Sequence, residues 1–353
     1  MRKKILISTG GSGGHVNPAI ALYEHLKDQY DIILTTDLRG KKFLNKNFKN
    51  YTIIDTPKLN NKILLPLNIL IVIFLTFKSI ALLRKKKIKY LFSTGGYMSI
   101  PICLASKFLK IDIYLLEPNM VLGRANKYFL NTCKKIFCYS KKIKKFPKNK
   151  EFKQVVINPI VRKKFFIQHF NFLKKKKFEI VVIGGSQSAS IFNNFFYEVF
   201  KNINNRYPLK IFHQTSKQNI NNLQNLYLIN KIENKVFSYD ENLFELIKSS
   251  DFCITRAGAS TLSELVILNI PFLAIPLPNS KDNHQLENSF FYRDKGFGWI
   301  IGQNELSQKK VEDFLINIFR NNSEYNEKKL NMKNFTNNNS WIKDNKKILD
   351  EIE

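Results

Sequence analysis

Short apolar runs recur along the chain, each followed by a loop of small residues and a longer stretch with helical periodicity. KILIS, DIILT, YTIID, KYLFS and IDIYLL predict strands in the first half. The stretch PAIALYEHLKDQ predicts a helix, with Pro18 suited to its first turn. Strands alternating with helices predict a parallel sheet covered on both faces. The pattern breaks at residues 162–177, RKKFFIQHFNFLKKKK, which are basic and lack strand alternation. It restarts with FEIVVIGGSQSASIFNNFF, and LKIFHQ, KVFSY, DFCIT and PFLAI supply further strands. At 353 residues the chain exceeds the size at which one core usually stops growing. The expected α/β architecture is therefore two doubly wound, Rossmann-like parallel-sheet domains, 1–161 and 178–353, joined by a basic linker at 162–177 and facing each other across a cleft. From about Glu324 the tail is polar and helical in character, with a break at NNNS.

One run does not fit this pattern. Residues 63–83, ILLPLNILIVIFLTFKSIALL, lead into RKKK and are long enough to cross a bilayer, although Pro66, Asn68 and Lys78 interrupt them. Three readings stand: a spanning helix, a core helix, and a helix lying in the membrane interface. The basic flank favours the last, because cations beside an apolar face bind anionic headgroups.

Charge widens the picture. Lys+Arg 57 against Asp+Glu 28 gives a formal net charge of +29, which attracts phosphate in any form. The lysines are spread along a chain also rich in Asn, Ile and Phe, so compositional drift competes with a selected anion-binding surface. Neither a basic-aromatic RNA-binding signature nor a recognition-helix pattern is present, which argues against specific nucleic-acid binding. Cys103, Cys133, Cys138 and Cys253 form no CxxC pair, as expected of buried thiols in a reducing compartment. The apolar part of MRKKILIS is too short for a signal peptide, so a cytoplasmic location is expected.

Three glycine loops follow predicted strands: TGGSGGH at 9–15, STGGY at 93–97 and GGSQSAS at 184–190. The first is neither the dinucleotide fingerprint nor a P-loop. Even so, four glycines between a strand and a helix would offer backbone amides and a helix dipole to a phosphate. His15 closes that loop, with a role either as general base or as a hydrogen bond shaping the loop. In TRAGASTLSEL, 255–265, Gly258 permits a tight turn, while Ser260 and Thr261 are positioned to cap a helix and offer hydroxyls to a diphosphate. Glu264 lies on the face of Ser260, where a carboxylate either accepts both ribose hydroxyls or merely complements the helix dipole. SKDNHQLENS adds His284, Gln285 and Asn288, groups suited to sugar hydroxyls. There is no D-x-D pair to hold a metal on a diphosphate, so neither metal nor cofactor is expected.

In this order and spacing GGSGGHVNPAIAL, STGGYMSIP, VVIGGSQSA, TRAGASTLSEL and DNHQLEN resemble the MurG family of peptidoglycan glycosyltransferases over nearly the whole chain. The resemblance implies a GT-B fold and inverting transfer of N-acetylglucosamine from UDP-GlcNAc to the muramyl 4-hydroxyl of undecaprenyl-pyrophosphoryl-MurNAc-pentapeptide (lipid I). The product would be lipid II, for cell-wall biogenesis and thereby cell shape and division. It implies that Gly11, Ser12, Gly13, Asn119, Arg162, Ser186, Ala259, Ser260, Thr261, Leu262, Ser263, Glu264 and Gln285 contact UDP-GlcNAc, with Glu264 on the ribose and Gln285 on the sugar. Gly95, Gly96 and Tyr97 would face the acceptor, and His15 would be the base. Residues 63–87 would dock on an anionic membrane, making the protein peripheral on the cytoplasmic face of the cell membrane. A terminal helix packing back on the first domain would fit the same family. The chain departs from the family where H-E-Q-N reads LEPN, Leu116 to Asn119, since Leu116 has no imidazole. NPIVR carries one extra residue before Arg162, and YDENL at 239–243 replaces F-I-x-D-M. Rival expectations within the fold are a glycolipid glycosyltransferase and a UDP-GlcNAc 2-epimerase. A basic nucleic-acid-binding protein is the rival outside it.

Overall fold

The structure, a computed structural model, describes residues 2–44, 48, 50–58, 63–166, 176–184, 190–238, 243–320, 323–338 and 340–352. The chain divides into two compact units, Met1–Lys164 with Ser340–Glu353, and Phe165–Asn339. Of the 162–177 stretch, 167–175 lie outside the described residues.

In the first unit the strands are β1 (Lys4–Ser8), β2 (Asp31–Thr36), β3 (Tyr51–Ile53), β4 (Tyr90–Ser93), β5 (Asp112–Glu117), β6 (Lys135–Cys138) and β7 (Gln154–Val156). They form one parallel sheet in the order β3-β2-β1-β4-β5-β6-β7, with Ile7 in register with Leu34 and Phe92. Ile5, Leu6 and Ile7 are all fully buried, as a strand covered on both faces requires. The second unit has β8 (Phe178–Ile183), β9 (Leu209–Gln214), β10 (Glu233–Phe237), β11 (Phe252–Thr255), β12 (Phe272–Ala274) and β13 (Gly298–Ile300), in the order β10-β9-β8-β11-β12-β13. Both sheets thus run outward in opposite directions from a central pair, β1/β4 and β8/β11. Ligands of open α/β sheets bind at the carboxyl ends of such a pair. β6, β7 and β13 were not among the predicted strands.

The first helix, Gly13–Leu26, begins earlier than the sequence suggests. Pro18 is in its second turn, not its first, and the last glycines of loop one are already helical. The apolar run forms one helix, Leu65–Lys86. Val72, Leu75, Ser79 and Leu83, spaced along one face, are buried against the core of the first unit. Thr76 and Ser79 return their hydroxyls to the carbonyls of Val72 and Leu75, and Asn68 donates to the Lys58 carbonyl. The other face leaves Leu67, Leu70, Ile73, Phe74 and Phe77 exposed, with Phe74 at 68% and Phe77 at 67%. Arg84, Lys85 and Lys86 close its last turn. One side of this helix is buried, as the core reading expects, and the other is an exposed apolar face.

The last helix, Trp341–Asp350, belongs to the first unit. The Trp341 ring stacks on His25 at 3.6 Å between centroids. Asp344 accepts from Asn158 at 2.9 Å, Lys347 donates to the Val156 carbonyl, and Ile348 and Ile352 are buried.

Candidate functional site

At the β1/β4 end, loops one and two share a floor. Gly11 (φ +77°) and Gly96 (φ +82°) occupy the left-handed region, and a β-carbon at either would run into the buried Met98 side chain. That packing, rather than ligand approach alone, demands glycine at both positions. Not every amide in loop one is available to an anion, contrary to the expectation. Gly11 donates its N–H to Asp37 Oδ1 at 2.7 Å, and Ser12 donates to the Gly10 carbonyl at 3.0 Å. Ser12 is the helix N-cap but makes no side-chain cap bond, so the first-turn amides of Gly13 and Gly14 are the donors that face outward.

His15 is in that first turn. Its Nδ1 lies 2.8 Å from the Thr94 carbonyl, at the start of loop two. A carbonyl only accepts, so the neutral ring making this bond carries its hydrogen on Nδ1 and its lone pair on Nε2. A β-carbon on Gly96 would be 3.4 Å from Nε2, which puts the basic nitrogen against loop two. One hydrogen bond therefore both shapes the loops and selects the tautomer a base needs.

The sequence reading missed Asp37. It is 1% exposed at the end of β2, and its Oδ1 accepts from Gly11 and Gly40, both at 2.7 Å. Its Oδ2 faces Arg39, whose guanidinium lies 5.2 Å from the Tyr97 ring centroid. An acidic residue directly after β2 was a usable signal, because β2 neighbours β1 in a doubly wound order.

Glu117 is a second buried carboxylate, at the end of β5. It accepts from the Asn119 amide and side chain, from the Gly123 amide at 2.8 Å and from Asn126 at 2.9 Å. Burial pushes its pKa up, and these donors pull it partly back. Asn119 thus gives its side-chain N–H to Glu117. Asn126 packs under Gly95, linking this cluster to loop two. Leu116 is 1% exposed in the core, where an apolar side chain belongs. Arg162 is half-buried within the first unit.

At the β8/β11 end, Gly184 follows β8, while 185–189, including Ser186, lie outside the described residues, as do 239–242 of YDENL. The helix Ala259–Ile267 starts here. Its N-cap is Gly258, without a side-chain bond, so Ser260 and Thr261 are first-turn residues and not caps. Ser260 Oγ is buried with no hydrogen-bond partner among the described residues, and Glu264 lies one turn further on, half-buried on the same face. Leu262 and Ser263 turn their side chains into the fold. Leu262 is fully buried, its amide bonds to the Gly258 carbonyl, and Ser263 Oγ joins the Ala259 carbonyl and the Tyr292 hydroxyl. Tyr292 is on the helix His284–Asp294, so Ser263 ties the two helices carrying Glu264 and Gln285. Gln285 Oε1 accepts from the Leu277 amide at 3.0 Å, leaving its Nε2 as the donor end. Asn288 is buried and donates to the Ala257 carbonyl, while the half-buried His284 bonds back to the Lys281 carbonyl. Arg256 is anchored to the Ile275 carbonyl and to Gln303, with its guanidinium 4.6 Å from the Phe192 ring centroid.

The chain is similar to known proteins in sequence and in fold. The glycosyltransferase family 28 N-terminal domain matches residues 5–138, and the family 28 C-terminal domain matches 179–343. A UDP-N-acetylglucosamine--N-acetylmuramyl-(pentapeptide) pyrophosphoryl-undecaprenol N-acetylglucosamine transferase of Pelagibacter ubique is 46% identical over 353 residues, covering 100% of this chain and 99% of that protein. The transferase of the same name from Rickettsia bellii is 33% identical, covering 90% and 91%. Among solved structures, Acinetobacter baumannii MurG superposes with a TM-score of 0.75 at 21% identity, covering 95% of each chain. A UDP-N-acetylglucosamine 2-epimerase superposes at 0.64 with 10% identity over 94% of this chain and 91% of its own, a likeness of fold alone. The GT-B architecture expected from the sequence is thereby established.

Proposed function

The chain belongs to the MurG family of family 28 glycosyltransferases, and on that premise we propose that it transfers N-acetylglucosamine from UDP-GlcNAc to the 4-hydroxyl of the N-acetylmuramyl sugar of a pyrophosphoryl-undecaprenol acceptor, with inversion. The observation that carries this reading is 46% identity along the entire chain to a transferase of that name.

His15 is the base in this proposal. Nε2 takes the proton as the acceptor oxygen attacks the anomeric carbon of the donor sugar. The bond from that carbon to the diphosphate breaks from the opposite face, and UDP departs with the electron pair. The second unit holds the donor. The first-turn amides of the helix Ala259–Ile267 and its dipole stabilise the departing diphosphate, without need of a metal. Glu264 accepts the ribose hydroxyls, and Gln285 Nε2 donates to the sugar. Gly13 and Gly14, with Gly95, Gly96 and Tyr97, form the acceptor side. Ser263 and Glu117 act as positioning residues, through Tyr292 and Asn126 respectively.

The bare face of the helix Leu65–Lys86 and its basic last turn support peripheral attachment to an anionic membrane, where a polyprenyl-linked acceptor resides. Incubation with labelled UDP-GlcNAc and a polyprenyl-pyrophosphoryl-MurNAc-pentapeptide tests the whole reading. A labelled disaccharide lipid is expected; consumption of the donor without one, or no consumption at all, overturns it.

A further inference from the structure

The helix Arg124–Phe129 carries Asn126 and is six residues long, too short to stand on its own hydrogen bonds. Leu130, Asn131 and Cys133 follow it, and their carbonyls converge on one cation. Lys153 Nζ donates to the Leu130 carbonyl at 3.0 Å, the Asn131 carbonyl at 2.9 Å and the Cys133 carbonyl at 2.6 Å. A lysine ammonium has three N–H groups and no acceptor, so these three oxygens use it completely. Cations also suit the negative end of a helix, whose last carbonyls lack partners. A compact charge held by several carbonyl oxygens is the setting of a bound monovalent cation, here supplied by a side chain. It comes from the turn Lys148–Lys153, directly before β7, and so ties β7 to the far end of the helix.

Lys153 has no part in the mechanism above, yet the helix it closes bears on loop two. Asn126 is 1% exposed and gives its N–H groups to the Leu116 carbonyl at 3.2 Å and to Glu117 Oε2 at 2.9 Å. Its amide group lies 3.1–3.3 Å from where a β-carbon on Gly95 would be, tighter than ordinary contact. Packing this close transmits displacement instead of absorbing it, so a shift of the helix shifts loop two.

We propose that the Lys153 ammonium fills a monovalent-cation site at the end of this helix and thereby acts as a positioning residue for loop two. The consequence for the acceptor rests on the functional reading above. The cation site rests only on this geometry.

The test uses the full chain with Lys153→Met, whose side chain ends about where the lysine Cε does and leaves the Nζ position open. Thermal unfolding is compared in ammonium, sodium and tetramethylammonium chloride at equal ionic strength. The variant should unfold at a higher temperature in ammonium than in the other two salts, while the wild type should not distinguish them. In turnover with sodium, the acceptor KM should rise about tenfold, as befits the loss of charge-assisted hydrogen bonds, with the donor KM unchanged. Ammonium should restore most of that loss, which a merely structural lesion would not show. Lys153→Gln, which keeps N–H donors without the charge, should give the same pattern at smaller size, and covers the case in which the methionine variant does not fold. Equal response of variant and wild type to ammonium, or a KM change shared by donor and acceptor, overturns the proposal. If the wild type makes no disaccharide lipid, the functional reading fails by itself, and the unfolding comparison still decides whether the three carbonyls form a cation site.

Discussion

The two sheets share one strand order, but their switch points are equipped differently. At β1/β4 the backbone dominates: left-handed glycines over Met98, helix-start amides and one imidazole whose tautomer a carbonyl fixes. At β8/β11 side chains dominate, with a hydroxyl and a carboxylate one turn apart on one helix face, and Gln285 on a helix tied to it through Ser263 and Tyr292. The same architecture thus places an imidazole beside helix-start amides at one end, and a hydroxyl, a carboxylate and an amide side chain at the other. The contrast shows that the fold fixes where a ligand goes, and the first turn after each central strand fixes what chemistry it meets.

Substitutions at the two ends should therefore separate kinetically. His15→Ala removes the proposed base and is expected to lower kcat by roughly 10²–10⁴, leaving the donor KM intact. Normal turnover in that variant would break the contrast outright. Glu264→Ala is expected to weaken UDP-GlcNAc binding by about ten- to a hundredfold, read by calorimetry, because two hydrogen bonds to a charged acceptor are lost. Unchanged donor affinity would return Glu264 to a helix-dipole role. Replacing both Phe74 and Phe77 with serine should lower binding to anionic vesicles by about tenfold or more, because two large apolar side chains are removed from the exposed face. Turnover of a water-soluble acceptor should be unaffected.

A further effect concerns acid stability. Each unit buries one neutral histidine, His25 in the first and His213 in the second, and burial lowers both from the usual 6.5 to about 3. Unfolded, each binds a proton below its ordinary pKa; folded, each stays neutral down to about 3. The stability they contribute is complete above pH 6.5 and is lost as pH falls toward 3. His25→Phe, which keeps a ring against Trp341, should flatten the acid limb of thermal unfolding for the first unit alone, and His213→Phe for the second. An unaltered acid limb in both variants would show that other groups govern it.

Much of this was legible in the sequence. The central strands announce themselves as buried apolar runs, and the glycine loops mark the ends of β1 and β4. Glu264 follows Ser260 by one helical turn whatever the tertiary context. Three things were not legible. β6 (KIFC), β7 (QVV) and β13 (GWI) hold their place through pairing with neighbours; shortness alone does not explain the miss, since β3 and β12 are equally short and were predicted. The start of the first helix was misplaced because Gly13 and Gly14 have poor intrinsic helix propensity, which packing overrides. The jobs of Arg39 and Met98 depend on strand adjacency, as does the reach of Asp37 to Gly11 across 26 positions, although its place directly after β2 was a usable sign.

The return of residues 340–352 to the first unit has a consequence for biosynthesis. On the ribosome, β1 to β7 emerge well before the helix Trp341–Asp350, with all of 165–339 made in between. Until then His25 lacks the indole that covers it, and the groove for Ile348 and Ile352 stands open. A nascent first unit is thus an unfinished one, offering apolar surface to chaperones throughout synthesis of its neighbour. A chain broken off before Ser340 would remain in that state, marked for removal before it could compete for substrate.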